Sequence, residues 1–444
     1  MTNKSVPTIV VVGGGSAGCV VAHHLAPIAQ LGKYQVVLVE QGGTNPLHDE
    51  PNFLLSLEDS VNAVSRIPSV LVEGKHREPF PYVQAKTLGG GSAVNGMVVS
   101  PLHGSDFDEW DTQYGCSGWG SDSFVYELTS WWPVRRLSVD EVGSVGRTLI
   151  DAGGVPSVLS ITQSRFSGES LIGPRVADGS VSLVHGTADS IEVIDGKVSA
   201  VSVGSQRIEA DIVVLACGAV ATPLLLRESG LANGFVGKNA QDHPALFFTV
   251  PRSKSFVSDG FVASAAKYFN NAQCIAYEVA HPTHPDLGLV SLSLLRVESC
   301  GTVSGSLAKP EVHLNLLGSV IDRECMRNNL HQFIRDVVPH FIKSYGQMWC
   351  DTNGSDVQSL LSLSDAALDD WLIAHVEPHS HISGTCAMGA SPQMPVTPRG
   401  EMRGVQGMYV ADASVFPHLP QSNTNMVTVR VASRIANYLV EDLK

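Results

Sequence analysis

Three glycines near the N-terminus are spaced so that a backbone turn could hold a dinucleotide. Gly13, Gly15 and Gly18 form the pattern Gly-x-Gly-x-x-Gly. In such a turn the first glycine permits a tight bend, the second lets the backbone approach a pyrophosphate, and the third lets a helix lie close to the strand. Glu40 lies about 20 residues further on, where an acid accepts hydrogen bonds from a ribose diol. The candidate cofactor contacts here are Gly13, Gly15, Ser16, Ala17, Gly18 and Glu40.

The elements that would position this turn are a strand, a helix and a second strand. Residues 8–12 form a short run rich in β-branched side chains, which is typical of a buried parallel strand. We predict a helix over Cys19–Ala29 and a second strand over Gln35–Glu40, which together make one βαβ unit. The amino end of that helix would face the phosphates with unpaired N–H groups and the positive end of its dipole.

The choice between NAD and FAD depends on the chain beyond the βαβ unit. An NAD-binding domain usually continues with a second βαβ half. This chain continues instead to a second glycine cluster, Leu88–Gly96, and a fully apolar run at Ile212–Ala216 is expected to rejoin the first sheet much later. This split arrangement favours FAD.

The remaining segments predict a second domain. Residues 41–82 are rich in proline, and we expect a loop-rich excursion there that could act as a lid. A helix is predicted near Ser121–Ser130. Segments within residues 246–345, such as Val312–Leu316, alternate between polar and apolar side chains, which indicates an antiparallel sheet with one solvated face.

The predicted fold class is α/β, or α+β overall. A Rossmann-like FAD-binding domain with a mixed sheet would comprise residues 1–105, 175–245 and 375–444. A substrate-binding domain built on an antiparallel sheet would comprise residues 106–174 and 246–374.

The composition argues against several classes of function. The 444 residues carry a formal net charge of −14, and an acidic surface repels phosphate backbones, so we expect no nucleic-acid partner. No run of about 18 apolar residues offers a membrane span. The apolar run at residues 8–12 leads straight into the glycine motif, so we expect no cleaved leader and, by default, a cytoplasmic location. The eight cysteines include no Cys-x-x-Cys pair, which favours buried thiols over a zinc site.

The second glycine cluster resembles a family signature. Leu88–Met97 is similar to the Leu-Gly-Gly-Ser-Ser-x-x-Asn signature of the glucose–methanol–choline (GMC) oxidoreductases. Gly91 stands where the family usually has serine or cysteine. Val94 stands where some members have a histidine that bonds covalently to flavin, so the resemblance implies non-covalent FAD. The implied cofactor contacts are Gly89, Gly90, Ser92, Asn95, Gly96 and Met97.

Four later segments resemble the same family, in the family's order. They are Leu215–Pro223, Val236–Pro244, His381–Gly389 and Val405–Pro417. The further cofactor contacts that the resemblance implies are Ala216, Gly218, Asp412, Ala413, Asn425 and Met426.

The resemblance also implies two catalytic residues. Oxidation of an alcohol removes a proton from oxygen and a hydride from carbon, and a histidine is suited to accept the proton near neutral pH. His381 matches the family's catalytic histidine, and Asn425 falls where the family places its second catalytic residue, although Asn423 lies nearby. A final helix is predicted over Asn425–Leu443 with Thr424 as its N-cap, and its dipole would favour negative charge on reduced flavin.

Other roles are open to some of the histidines. His379 and His381 could share one face of a strand and bind a metal ion, but no third ligand suggests itself, so we predict no metal site. His243 is expected to be structural, in a turn before Pro244.

The leading functional hypothesis is FAD-dependent oxidation of a small-molecule alcohol to an aldehyde or ketone, with oxygen or an electron carrier as acceptor. A hydroxynitrile lyase of the same fold, with no net redox chemistry, is the alternative. A non-enzymatic flavin-binding protein is the third possibility, and the presence of both His381 and Asn425 argues against it. The substrate stays open among sugars, aliphatic and aromatic alcohols, choline-like alcohols and amino sugars.

Overall fold

The structure is a computed structural model that describes residues 6–44, 63–73, 78–120, 131–251, 261–280, 284, 286–351 and 353–443. The helix predicted near Ser121–Ser130 lies outside the described residues. So do residues 45–62 and 74–77 of the proline-rich excursion.

The elements follow one another in a mixed order of strands and helices. The strands are β1 (Thr8–Val12), β2 (Gln35–Glu40), β3 (Val64–Val70), β4 (Phe80–Ala85), β5 (Arg135–Arg136), β6 (Val155–Pro156), β7 (Val158–Leu159), β8 (Ser182–His185), β9 (Ala188–Ile194), β10 (Lys197–Val203), β11 (Gln206–Glu209), β12 (Ile212–Leu215), β13 (Pro244–Pro251), β14 (Ala263–Tyr268), β15 (Ala272–Tyr277), β16 (Leu287–Leu294), β17 (Thr302–Gly305), β18 (Pro310–His313), β19 (Glu377–Pro378) and β20 (Met408–Val410). The α-helices are α1 (Ser16–Gln30), α2 (Gly91–Val94), α3 (Gly104–Tyr114), α4 (Ser144–Asp151), α5 (Gly168–Ala177), α6 (Gly218–Glu228), α7 (Val320–Asp336), α8 (Val338–Tyr345), α9 (Asp365–His375) and α10 (Thr424–Asp442), and short 3-10 helices cover Val139–Glu141, Val357–Ser362 and Ala413–Val415.

A five-stranded parallel sheet carries the first glycine motif. Its strand order is β20-β12-β1-β2-β8, and every neighbouring pair is parallel. Helices α1 and α10 pack against each other, and the β1 side chains from Ile9 to Val11 are fully buried. The predicted βαβ unit is confirmed, and so is the return of the chain to this sheet at Ile212.

A six-stranded antiparallel sheet forms the second large layer. Its order is β19-β13-β16-β15-β14-β6, with antiparallel pairing throughout. Phe248 on β13 stacks on Phe333 of α7 with ring centroids 4.8 Å apart, which joins one face of the sheet to that helix. The predicted antiparallel pairing is therefore confirmed, but the segment that suggested it, Val312–Leu316, does not belong to this sheet, since Val312 lies on β18 of another sheet. The expected solvated face is wrong, because every residue of β15 is buried.

A four-stranded mixed sheet differs from what the sequence suggested. Its order is β17-β18-β3-β4, and β18 pairs parallel with β3 and antiparallel with β17. The expectation of a loop-rich excursion is wrong for β3 and β4, which pair antiparallel. Proline is tolerated there because β4 is an edge strand and Pro68 of β3, opposite Pro81, lies outside the part of β3 that pairs with β18. A separate three-stranded sheet, β11-β10-β9, is antiparallel.

Buried apolar side chains form two large clusters, one around the parallel sheet and one around the six-stranded sheet. Trp110 and Trp132 belong to the first cluster, whereas Val145 and Leu149 belong to the second. The predicted domain bounds, which place all four in one domain, remain a prediction.

None of the helices in the described ranges combines the length and the apolar character that crossing a bilayer requires.

Candidate active site

The first glycine loop joins the carboxyl end of β1 to α1. Gly13 has a φ of +100°, and a Cβ atom there would lie 2.5 Å from the carbonyl oxygen of Ala216. A Cβ atom at Gly18 would lie 1.8 Å from the carbonyl oxygen of Gly13. The chain's own packing therefore requires both glycines. At Gly15 the nearest atoms to a Cβ would be 3.9 Å away, so the protein has room for a side chain, and the approach of a ligand phosphate is what would require glycine.

Glu40 ends β2 beside this loop, and its carboxylate already binds the backbone. Oε2 accepts a hydrogen bond from the amide of Gly14, and Oε1 accepts one from the amide of Gly42, each at 2.7 Å. Burial raises the pKa of Glu40, and these two amides oppose that increase. Each carboxylate oxygen keeps a second lone pair, so a ribose hydroxyl could still be bound. The ribose contact stays a prediction, and the observed contacts fix the glycine loop.

The second glycine loop, residues 87–97, packs directly on the first. The amide of Gly89 donates to the carbonyl of Gly14 at 2.7 Å. A Cβ atom at Gly90 would lie 2.6 Å from Cα of Gly15. Met97 has a φ of +62°, in the left-handed region that non-glycine residues rarely adopt. Such local strain is often retained at a functional site.

Arg165 fastens the second loop, and sequence reasoning missed it. Its Nη1 donates to the carbonyl of Asn95 at 2.8 Å, and to Asn95 Oδ1 and the carbonyl of Ser92 at 3.1 Å each. The Ser92 hydroxyl donates to the carbonyl of Gly89 at 2.6 Å and accepts from the amide of Gly168 at 2.9 Å. Arg165 and Asn95 are 70 positions apart, and no motif in the sequence links them, so no sequence signal indicated this contact.

Asp412 ties the end of the parallel sheet to α6. Its Oδ2 accepts hydrogen bonds from the amide of Gly218 at 2.8 Å and from the hydroxyl of Thr222 at 2.6 Å. Its Oδ1 accepts from the amide of Ser414 at 2.8 Å. Burial raises the pKa of this carboxyl. Because the protein itself occupies both oxygens, the cofactor contact of Asp412 stays a prediction.

A cavity of about 850 Å³ is lined by the two glycine loops and by strands of the six-stranded sheet. The predicted site residues in its wall are Gly13, Gly15, Ser16, Ala17, Glu40, Gly90, Asn95, Gly96, Met97, Ala216, Gly218, His381, Asp412, Ala413 and Asn425. Gly18, Gly89, Ser92 and Met426 do not belong to that wall. Gly18 lies against the backbone of Gly13, Gly89 and Ser92 hold the second loop in place, and Met426 packs in the core of the parallel sheet.

The backbone of His381 is held by a buried acid. Each carboxylate oxygen of Asp242 lies 3.0 Å from the His381 amide, which donates. The Tyr82 hydroxyl donates to Asp242 Oδ2 at 2.9 Å and accepts from the amide of Ile382 at 3.1 Å. Burial raises the pKa of Asp242 to about 7. Residues 381 and 382 are thereby anchored to the start of β13 and to β4.

The ring of His381 contacts a second histidine. Its Nδ1 lies 2.8 Å from Nδ1 of His243, whose Nε2 lies 3.0 Å from the carbonyl oxygen of Pro420. The two rings are perpendicular, with centroids 5.0 Å apart. Burial lowers the pKa of His243 to about 3 and that of His381 well below its usual value. Both imidazoles are therefore neutral near pH 7, and His243 has a partner that its expected structural role did not include.

His379 lines the same cavity beside His381. Their ring centroids are 4.7 Å apart, and burial lowers the pKa of His379 to about 4. Within the described part of the chain, no group of three or more His, Cys, Asp or Glu side chains is arranged to hold a metal ion.

The two asparagines near the start of α10 have different partners. Asn425 Oδ1 accepts from the hydroxyl of Ser16 at 2.8 Å, so its amide nitrogen is left as the donor to the cavity. Asn423 Oδ1 accepts from Gln273 Nε2 at 2.7 Å, and its Nδ2 donates to the carbonyl of Val98 at 3.3 Å. Asn425 is thus tied to the first glycine loop, whereas Asn423 is tied to the six-stranded sheet.

The start of α10 corrects one expectation. The helix begins at Thr424 and its N-cap residue is Asn423, so the prediction that Thr424 is the N-cap is wrong. The Asn423 side chain does not cap the helix because Gln273 holds it elsewhere. Asn423, Thr424 and Asn425 all line the cavity, so the amino end of α10 faces it.

Two family models match the chain, and both are described as GMC oxidoreductase. The N-terminal model matches residues 8–152 and 173–245, and the C-terminal model matches residues 298–432.

Curated relatives match over nearly their whole length. The oxygen-dependent choline dehydrogenase of Rhizobium johnstonii is 24% identical over 545 residues, which cover 97% of this chain and 95% of that protein. The oxygen-dependent choline dehydrogenase of Brucella suis is 25% identical over 541 residues, with the same shares covered.

Solved structures share the architecture. Pyridoxine 4-oxidase from Mesorbium loti has a TM-score of 0.87 at 20% identity, covering 98% of this chain and 99% of that chain. A formate oxidase variant from Aspergillus oryzae has a TM-score of 0.84 at 18% identity, covering 99% and 100%. At these identities the likeness establishes the fold.

Proposed function

The chain belongs to the GMC oxidoreductase family, and from that premise we propose that it oxidises an alcohol to an aldehyde or ketone with His381 as the general base. It is an FAD-dependent oxidoreductase that acts on CH–OH donors. The observation that carries the proposed mechanism is the position of His381, whose neutral ring lines the cavity that the two glycine loops also line.

The residues of the two loops fit FAD. Gly15 leaves space where a Cβ would otherwise point, and the first-turn amides of α1 lack acceptors within the helix, so both favour a bound pyrophosphate. We propose that the cofactor is held without a covalent bond, because Val94 offers no nucleophile at the position where some family members carry a histidine. When bound, FAD supplies a hydride acceptor at its N5 atom.

His381 would accept the hydroxyl proton of the alcohol. Burial keeps the imidazole neutral, so a nitrogen lone pair is available at neutral pH. Asp242 fixes the backbone of His381, which limits the directions in which that lone pair can point. The Asn425 amide nitrogen would donate a hydrogen bond to the oxygen as negative charge develops on it, and the amino end of α10 favours negative charge in the same cavity.

The side chains of the cavity wall, as distinct from the amino end of α10, favour neutral or cationic substrates over anionic ones. Among the described residues that line it, none is a lysine or an arginine, and Glu377 is one of its acids. Phe247, Ile275 and Leu289 contribute apolar surface from the six-stranded sheet. Choline and pyridoxine, named for two of the similar proteins, are therefore suitable first candidates, and formate is a poorer one.

The direct test is anaerobic reduction of the purified yellow protein by a panel of alcohols, followed at the visible flavin band. At least one neutral or cationic alcohol should bleach the band. The same mixture exposed to air distinguishes oxygen, which yields peroxide, from an electron carrier. Cleavage of a cyanohydrin without bleaching of the flavin would support a hydroxynitrile lyase instead.

The matched variants are His381→Ala and His313→Ala. His381→Ala should keep its FAD and lose about 10²- to 10⁴-fold in the rate of flavin reduction, as expected for a lost general base. His313 is exposed on β18 and does not line the cavity, so His313→Ala should behave as wild type. Equal rates in the two variants would rule out His381 as the base.

A further inference from the structure

We infer that His243 is a positioning residue that determines which ring nitrogen of His381 carries the proton, and so leaves Nε2 of His381 free to act as the base. The inference rests on the proposed role of His381. It assigns a function to a histidine that the sequence suggested was only structural.

The protonation of His243 is fixed by the carbonyl of Pro420. A carbonyl oxygen can only accept, so Nε2 of His243, 3.0 Å away, must carry a proton and donate it. His243 is fully buried, and burial lowers its pKa to about 3, so the ring is neutral and holds one proton. Its Nδ1 is therefore an acceptor.

The protonation of His381 is fixed in turn by His243. Nδ1 of His381 lies 2.8 Å from the acceptor Nδ1 of His243, so Nδ1 of His381 carries a proton and donates it. The His381 ring is also neutral, which leaves its Nε2 without a proton. Nε2 lies on the side of the ring away from His243, and the ring lines the cavity. The position of the lone pair on His381 thus follows from two hydrogen bonds, one from His243 to the Pro420 carbonyl and one from His381 to His243.

The consecutive residues Asp242 and His243 divide the task of holding His381. The Asp242 carboxylate accepts from the backbone amide of His381 and from the Tyr82 hydroxyl, so it acts on the backbone. His243 acts on the ring. An orienting partner on the far nitrogen of a catalytic histidine is familiar from serine hydrolases, where it is a carboxylate. Here the partner of the ring nitrogen is a neutral imidazole, and the carboxylate of Asp242 contacts the backbone of His381 instead.

Proton transfer is balanced within this arrangement. The O–H bond of the alcohol breaks as an N–H bond forms at Nε2 of His381, and the resulting imidazolium keeps its Nδ1–H hydrogen bond to His243. That hydrogen bond to a charged donor is stronger than the one to the neutral ring. His243 therefore stabilises the protonated base as well as selecting the tautomer that can become protonated.

The test compares His243→Leu with His243→Asn in the FAD-loaded enzyme. Leucine has a similar bulk but no acceptor, whereas the Oδ1 of asparagine stands the same number of bonds from the backbone as Nδ1 of histidine. We expect His243→Leu to reduce the limiting rate of flavin reduction about 5- to 150-fold, the range for an unpaired buried polar group. Substrate affinity and FAD content should stay within about threefold of wild type, since no binding group is lost.

Rescue and pH dependence separate this role from a purely structural one. His243→Asn should recover a rate within about tenfold of wild type, because an acceptor faces Nδ1 of His381 again. The acidic limb of the rate profile should move to lower pH in His243→Leu and return in His243→Asn, since the acceptor stabilises the protonated ring. The other titratable groups that face His381, His379 and Asp242, are the same in both variants.

The outcomes distinguish the inference from the proposed function. If alcohols reduce the wild-type flavin and His381→Ala is inactive, but His243→Leu reduces at the wild-type rate, the positioning role is wrong while the base assignment stands. If no alcohol reduces the wild-type flavin, the proposed function itself fails. If His243→Leu does not retain FAD, His243→Asn decides alone, and a loss of more than about 100-fold in that variant overturns the inference.

Discussion

The glycines of the first loop allow a sharp test, because the structure gives them different reasons to be glycine. Alanine at Gly13 would place a Cβ 2.5 Å from a backbone oxygen at a φ of +100°. Alanine at Gly15 would meet nothing closer than 3.9 Å, and its φ of −74° is one that alanine adopts readily. Gly13→Ala should therefore damage the fold, whereas Gly15→Ala should damage ligand binding alone.

The magnitudes are set by these geometries. The left-handed backbone alone costs about 1–2 kcal/mol for an alanine at Gly13, and the contact with the Ala216 carbonyl adds to it. Alanine at Gly15 lowers the conformational entropy of the unfolded chain, which raises the free energy of unfolding by about 0.4–1 kcal/mol. Alanine is also a poorer N-cap residue than glycine, which lowers the free energy of unfolding by a similar amount. The stability of the apoprotein with Gly15→Ala should therefore stay within about 1 kcal/mol of wild type.

The assay measures both properties on the same samples. Urea unfolding of the apoprotein reports stability, and titration with FAD, followed by quenching of its fluorescence, reports affinity. Gly15→Ala should unfold as wild type does and bind FAD at least about tenfold more weakly, because a methyl group would occupy the position of the pyrophosphate. Wild-type FAD affinity in Gly15→Ala, or a destabilisation equal to that of Gly13→Ala, would refute the assignment of this loop as the phosphate site.

Three further predictions concern the base, the acid at the end of β2 and the cofactor linkage. Since burial lowers the pKa of His381, its neutral form persists on acidification, so kcat/KM should stay level as pH falls through about 6.5 and decline only at lower pH; a midpoint at or above 6.5 would contradict this. Glu40→Ala removes the acceptor of two buried amides, those of Gly14 and Gly42, and should cost about 1–3 kcal/mol in stability for each amide left unpaired, measured by urea unfolding. The same variant should also bind FAD more weakly, whereas Glu40→Gln, which keeps one acceptor oxygen, should lose less of both. Acid precipitation should release all the yellow cofactor into the supernatant, because Val94 cannot form a bond to flavin, and colour that stays with the pellet would show a covalent link elsewhere.

The elements around the parallel sheet were predictable from local sequence. β2 has the bounds that the apolar pattern gave, and α1 starts three residues before the predicted helix. Such agreement is expected where a short run of β-branched side chains ends at a glycine turn, because strand, turn and helix each depend on neighbouring residues. The hairpin of β3 and β4 escaped prediction because its prolines suggest a loop unless their place at a sheet edge is known.

The sequence predicted the residues that line the candidate site better than the residues that hold them in place. Most of the predicted residues line one cavity, including His381 and Asn425. The residues that hold them in place were missed or given another role, among them Tyr82, Arg165 and His243. The contacts of these side chains leave no spacing pattern in the sequence, because their partners lie in segments that meet only after folding.

The sequence by itself determined the family and the positions of the glycine turns, because such turns impose backbone requirements that only glycine at fixed spacing meets. Only the tertiary structure decided which groups contact the ring of His381 and the side chain of Asn423. His243 and His381 are 138 positions apart, and Gln273 and Asn423 are 150 apart. Hydrogen bonds over such separations depend on how the two sheets pack, so the direction and protonation of a ring can be read only from the folded chain.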